Sequence, residues 1–228
     1  SYVKCSDDTK KETESTGGVY VDLPGTSIDL TSCAECPTLD AGTIGTAQSI
    51  CYNTTPAALT DETSPTGGDD SFTYQWEIST DGSSFSDISG ATSATYTPPS
   101  ALTVDTWYQR EVTSCSTNMV ETTASIKITV YADLTAGGIG STQSICYNTT
   151  PATLTDETTP TGGDGSLTYQ WRSSTTNSGS GYSNISGANS ATFSPGALTT
   201  TTWYKRKVTS CSTDKYTGFI EVEVYDDL

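Results

Sequence analysis

The stretch SICYNTTPAALTDETSPTGGD, Ser49 to Asp69, returns as SICYNTTPATLTDETTPTGGD at Ser144 to Asp164. The two copies differ only at Ala58 against Thr153 and at Ser64 against Thr159. Self-similarity of this length makes the chain an array of like units, each of which must be read in the same way. Outward from the matched stretch, Trp76 maps to Trp171, Trp107 to Trp203 and Tyr131 to Tyr225. The offsets drift by a residue, as expected where loops absorb small insertions. The units are read as residues 39–133 and 134–228, preceded by an unmatched N-terminal segment, 1–38, taken as the tail of a preceding domain. Ile128-Thr-Val-Tyr-Ala-Asp-Leu134 runs straight into the second unit without a Gly/Ser linker. Such a short connection restrains relative motion.

Periodicity inside each unit is two. Phe72, Tyr74, Trp76 and Ile78 share one parity, against Thr73, Gln75 and Glu77. Ile126, Ile128 and Val130 alternate with Lys127 and Thr129, and Ile220, Val222 and Val224 with Glu221 and Glu223. Turn signals such as Pro65-Thr-Gly-Gly, with Gly67-Gly68 read as a hairpin turn, and Thr80-Asp-Gly separate the runs. About seven short strands in roughly 95 residues is the pattern of an immunoglobulin-like sandwich. The expected fold is all-β: tandem Ig-like β-sandwiches arranged as an extended rod. Strands of about ten residues give roughly 35 Å per domain. In the 1–38 segment, VYVDLPGTSIDL is read as one or two strands. Trp76 and Trp171 are assigned to the core, where a large aromatic fills the space between sheets. Trp107 and Trp203 have the opposite parity to Tyr108 and Val112, which makes them candidates for a contact surface.

Seven Cys in a Ser/Thr-rich chain point to structural disulfides and an oxidising compartment. Cys51 and Cys115 recur as Cys146 and Cys211, so the expected bridges are Cys51–Cys115 and Cys146–Cys211, each closing a loop of about 64 residues and contributing about 4 kcal/mol. In an antibody domain the second Cys follows the strand Tyr by two residues. Cys115 follows Tyr108 by seven, so its bridge belongs near a domain end. Among Cys5, Cys33 and Cys36, a disulfide is expected rather than a zinc site, since two further ligands are lacking and the chain has no His.

The chain carries 27 acidic and 10 basic residues, a net charge of −17. That balance argues against nucleic acid or an anionic membrane as partner. No apolar run reaches the roughly 18 residues of a membrane span. Absence of His excludes Ser-His-Asp and Cys-His catalysis, and no phosphate-binding glycine loop is present. The recurring pair Asp61-Glu62 and Asp156-Glu157 is read as solvated turn carboxylates, and no enzyme activity is expected. Calcium is the cation to consider, with Asp61, Glu62, Asp69, Asp70, Asp81 and Asp87 as oxygen donors. No Asp-x-Asp-x-Asp-Gly loop occurs, so no cofactor is assigned. The sequons at Asn53, Asn148 and Asn184 are read as polar turns.

The series Gly-x-Ile-Gly-x-x-Gln-Ser-Ile-Cys, Pro-Ala-x-Leu-Thr, Thr-Gly-Gly, Thr-Tyr-Gln-Trp, Ile-Ser-Gly-Ala, Ala-Leu-Thr and Trp-Tyr, over Leu39 to Leu228, resembles the tandem Ig-like (PKD-like) repeats of large Bacteroidetes cell-surface adhesins. That group includes adhesins of gliding motility. The resemblance implies type IX secretion and display on the bacterial cell surface, and it carries over no catalytic residue. The expected role is a stalk or adhesin in surface attachment or gliding motility, with neighbouring repeats of the same long chain or filament as partners and surface polysaccharide as a further candidate partner. A subunit of an extracellular filament, joined through the N-terminal segment, is the first alternative, and a glycan-binding module the second.

Overall fold

A computed structural model describes residues 36–115 and 119–225, together with two strands, β1 (Tyr20–Asp22) and β2 (Thr26–Ile28), that pair antiparallel. Cys5 and Cys33 lie outside the described residues. Repeat 1 is built from β3 (Thr43–Ile44), β4 (Gln48–Ile50), β5 (Asp61–Thr63), β6 (Thr73–Ser79), β7 (Ser86–Asp87), β8 (Thr106–Ser114), β9 (Met119–Thr122) and β10 (Ile126–Val130). Repeat 2 follows as β11 (Gly138–Ile139), β12 (Gln143–Cys146), β13 (Asp156–Thr158), β14 (Thr168–Ser174), β15 (Ser183–Asn184), β16 (Thr202–Ser210), β17 (Thr213–Tyr216) and β18 (Ile220–Tyr225). No helix occurs among the described residues.

Each repeat is an Ig-like sandwich of two unequal sheets. In repeat 1 the larger sheet runs β4-β10-β8-β6-β7, with β9 extending the edge of β8 beyond β10. The smaller pairs β3 with β5 and adds a single bridge from Leu59 to Tyr96. The entering strand therefore divides. Its first part, β3, lies on β5; its second part, β4, crosses over and pairs parallel with β10, Val130 beside Ile50. Repeat 2 repeats every pairing, with β12 parallel to β18 and Cys146 beside Tyr225. Because β5 and β6 belong to different sheets, Gly67-Gly68 is a turn between sheets and not a hairpin turn.

The alternation of β8 decides the core. Its nine residues run buried and half-buried by turns, with Thr106, Tyr108, Arg110, Val112 and Ser114 inward. Trp76 is fully buried, as is Trp171. Each indole N–H donates to a backbone carbonyl, of Ser93 at 2.8 Å and of Ser190 at 2.9 Å. Tyr96 stacks at a tilt between Trp76 and Tyr108 with centroids 5.7 and 5.8 Å away, and Phe193 fills the same place between Trp171 and Tyr204.

An arginine cuts this core in two. Arg110 is fully buried between a cluster of Ile44, Leu59, Trp76, Tyr108 and Ile128 and a smaller one of Leu39, Ala41 and Val112. Its guanidinium lies 4.8 Å from the Tyr74 ring centroid and donates to the carbonyls of Ala94 at 2.6 Å and Ala41 at 3.2 Å. Its Nη1 also lies 2.8 Å from Asp61 Oδ1, a contact of opposite charges without the alignment of a hydrogen bond. Arg206 repeats the arrangement against Tyr169, Ala191, Ala136 and Asp156. The reading of Asp61 and Asp156 as solvated turn carboxylates is thereby corrected: both lie against a buried cation. The position is telling. Arg110 follows Tyr108 by two residues, where an antibody domain carries the second cysteine of its inter-sheet bridge. An ion pair from β5 to β8 takes the place of that bridge.

Removing one partner of a buried pair leaves an uncompensated charge and costs about 3 kcal/mol or more. Asp61→Ala is therefore expected to unfold repeat 1 at markedly lower urea, while Arg110→Met, which removes the charge itself, loses less. Denaturation followed by tryptophan fluorescence compares the two.

Candidate functional site

The two ends of the repeated stretch lie at opposite poles of each sandwich, Cys51 and Cys146 beside the outgoing strand and Thr-Gly-Gly beside the entering chain. At the upstream pole of repeat 1 the turn after β5 receives the entering chain: the Gly68 amide donates to the Pro37 carbonyl at 3.0 Å. Gly67 and Gly68 both have positive φ, and a β-carbon on either would collide with Thr38 O or with Ser114 Oγ. Repeat 2 repeats this with its own linker. The Gly163 amide donates to Ala132 O at 2.9 Å, and the same close approach sets Gly162 against Asp133 O. Thr-Gly-Gly is thus the socket into which the preceding segment fits.

Beside each socket stands a cysteine on the tight turn after β8 or β16. Cys115 has φ 56°, Cys211 φ 51° and Ser212 φ 56°, left-handed values that side chains other than glycine seldom adopt. A carboxylate fixes the turn. Asp69 accepts from Ser114 Oγ at 2.8 Å, from the Ser71 amide at 3.1 Å and from the Cys115 amide at 3.3 Å. Asp164 accepts from Ser210 Oγ at 2.7 Å and the Ser166 amide at 2.9 Å. The seryl hydroxyl first, then these amides, hold both carboxyls below their ordinary range.

The turn cysteines do not pair within their repeats. Cys36 bonds to Cys115, with Cα atoms 6.6 Å apart, and Cys51 bonds to Cys211, 5.8 Å apart. Both expected bridges, Cys51–Cys115 and Cys146–Cys211, are corrected. The reason is geometric. β4 runs parallel to β10, so Cys51 ends at the downstream pole beside the outgoing chain, whereas the turn carrying Cys115 stands at the upstream pole beside Pro37. Cys51 therefore reaches the next repeat and Cys36 the one it precedes. Cys146 is a free, exposed thiol.

Around Cys51–Cys211, the junction is lined by Tyr52, Ala132 and Asp133 of the first repeat and by Leu134, Gly163 and Thr213 of the second. Leu134 is buried with Ala136 and Val208 of repeat 2, and Lys215 Nζ meets Asp133 at 3.2 Å. Asn53 and Asn148 occupy left-handed turns next to Cys51 and Cys146, φ 57° and 58°.

The remaining candidates disperse. Trp107 lies half-buried on the outer face of β8, under Lys127 Nζ at 4.9 Å and against Gly82. Trp203 faces Glu221 instead, so the two faces are not one repeated surface. Across β6 and β8, Glu77 accepts from Gln109 at 2.7 Å; the matching pair in repeat 2 is Arg172 and Lys205, whose charges rest on Tyr216 and on Tyr182 and Tyr216. Asp81 is held by Ser79, Ser83 and Ser84, and Asp87 lies beside Glu77. Among the described residues no three His, Cys, Asp or Glu converge on a metal position.

The family model described as "Domain of unknown function (DUF8696)" matches twice, on residues 40–132 and 135–226, and the chain belongs to this family. No curated protein matches it. Among solved structures it is similar to three N-terminal domains of the Highly Immunogenic Outer Capsid protein of bacteriophage RB49, at 12% identity and TM-score 0.47, over 82% of this chain and 70% of that one. It is also similar to the N-terminal eight Ig domains of Down Syndrome Cell Adhesion Molecule, at 15% identity and TM-score 0.38, over 84% of this chain and 27% of that one. Sidekick-1 immunoglobulin domains 1–4 match at 14% identity and TM-score 0.40, over 85% of this chain and 48% of that one. The chain thus spans less than half of the last two.

A carboxylate depressed by folding adds stability that is fully present above its unfolded value, about 3.9, and is lost as pH falls through the lower folded value. The turns bearing Cys115 and Cys211 are therefore expected to be insensitive from pH 7 to about 5 and to loosen below about 4. Carboxyl titration by NMR checks this, and Ser114→Ala is expected to move the Asp69 midpoint upward.

Proposed function

We propose that the chain is a load-bearing section of an extracellular bacterial surface protein, a stalk or adhesin in which Ig-like repeats are joined covalently pole to pole. The observation that carries this reading is the Cys51–Cys211 bond, which ties the end of one repeat to the head of the next. Tension applied to the two ends passes from residue 51 directly to residue 211. The 160-residue span between them, with most of both sandwiches, is shielded. Bridges within single repeats would instead leave the junction to the backbone linker and noncovalent contacts. Disulfides belong to an oxidising compartment, which supports an extracellular setting. The sequence series supports a Bacteroidetes surface adhesin secreted by the type IX route, serving attachment or gliding, with neighbouring repeats as partners. A second reading, a filament subunit, is favoured by the exposed thiol of Cys146.

Single-molecule stretching from terminal handles tests the load path. The oxidised chain is expected to withhold the 160 residues behind the Cys51–Cys211 bond, and reductant to release them as roughly 550 Å of extra contour length. Cys51→Ser is expected to extend further than the oxidised chain without reductant, while still withholding the 79 residues behind Cys36–Cys115 until reductant is added. An oxidised chain in which both sandwiches unfold and extend in full would refute the reading.

A further inference from the structure

We infer that Cys146 is the attachment point for the turn cysteine of a further repeat of this family, so that Cys51–Cys211 is one link of a repeating covalent chain; this rests on the reading of Cys51–Cys211 given above.

Cys146 stands where Cys51 stands. Both follow the identical Ser-Ile and precede Tyr-Asn-Thr-Thr. Both end a strand that runs parallel to the outgoing strand, Cys146 in register with Tyr225 and Cys51 one step beyond the Ile50 and Val130 pair. The same local turn holds each. Thr54 Oγ1 donates to Cys51 O at 2.7 Å and Thr149 Oγ1 to Cys146 O at 2.6 Å, with the following asparagine left-handed in each case. In this setting Cys51 is bonded to the turn cysteine of the next repeat, whereas Cys146 is free and exposed. The internal copy thus shows what the position binds.

The occupant follows from which turn cysteines are already engaged. Cys115 is bonded to Cys36 and Cys211 to Cys51, so neither turn of this chain, nor of a second oxidised copy, has a thiol to offer. The partner is a repeat whose own Thr-Ser-Cys-Ser-Thr turn is unpaired and whose Thr-Gly-Gly socket accepts the chain leaving Tyr225. Two thiols give up two protons and two electrons to form the bond. A disulfide oxidant takes them up; with oxidised glutathione, one molecule yields two of the reduced form.

A three-repeat chain tests the inference. Tyr225-Asp-Asp-Leu228 mirrors Tyr131-Ala-Asp-Leu134, so a copy of residues 135–228 is joined directly after Leu228. A second version carries a copy of residues 40–134 there instead. Both are refolded in a glutathione redox buffer, and maleimide-reactive thiols are counted beside the two-repeat chain. If Cys146 takes the added turn cysteine, the added repeat brings one consumed and one new thiol while hiding Cys146, and the count stays unchanged. Cys146→Ser then lowers the count by one in the two-repeat chain and raises it by one in the three-repeat chains. A count that rises by two on adding a repeat overturns the inference. So does a Cys146→Ser change that lowers the count in both three-repeat chains, the signature of a bridge inside the added repeat. A two-repeat chain without a reactive Cys146, linked to a second copy or to Cys5 or Cys33, also overturns it. Peptide mapping of the same samples separates the two levels. Failure at Cys146 with Cys51–Cys211 intact sinks this inference alone, whereas absence of Cys51–Cys211 sinks the load-bearing reading.

Discussion

A guanidinium buried between two sheets is the constraint on which the molecule turns. Arg110 and Arg206 carry a full charge in the centre of each sandwich, where an unpaired ion would be prohibitively costly. Asp61 and Asp156 supply the counter-charge, carbonyls accept the N–H groups, and the rings of Tyr74 and Tyr169 cover one face. This fixes β5 against β8 and β13 against β16 at the place where other sandwiches of the class use a covalent bridge. The cysteines are released from that duty.

They serve at the poles instead. β4 and β12 leave the smaller sheet to run beside the outgoing strand, which carries Cys51 and Cys146 to the downstream ends. The turns after β8 and β16 present Cys115 and Cys211 at the upstream ends, braced by Asp69 and Asp164. The Thr-Gly-Gly socket seats the linker beside them. Core, strand switch and turn chemistry therefore converge on one outcome, a bond that crosses from repeat to repeat. A domain with few large apolar side chains is stabilised internally by an ion-paired core and externally by attachment to its neighbour.

Much of this was legible in the sequence. Alternation gave the strands, and the parity of Phe72, Tyr74, Trp76 and Ile78 agrees with the side chains that face the core. The cysteine pairing was not legible, because equal spacing in two repeats fits a bridge within each repeat as well as a bridge between them. Only the parallel β4 and β10 pairing, a long-range feature, separates the two. The arginine core was open to reading and missed. Arg110 has the inward parity of Tyr108 and Val112, and an inward arginine two residues after the strand tyrosine, matched in both repeats, calls for a buried acid. Asp61 and Asp156 were the recurring candidates, but their place beside turn residues suggested solvent.

Tryptic mapping of the oxidised, non-reduced chain tests the central claim most directly, because cleavage at Lys and Arg separates Cys115, Cys146 and Cys211 from one another and from the cysteines upstream. Cys33, Cys36 and Cys51 fall on Glu12–Arg110, Cys115 on Glu111–Lys127, Cys146 on Ile128–Arg172 and Cys211 on Val208–Lys215. The account predicts Glu12–Arg110 linked to both Glu111–Lys127 and Val208–Lys215, with Ile128–Arg172 carrying a free thiol. Ile128–Arg172 linked to Val208–Lys215 would confine the bridge to repeat 2 and contradict it.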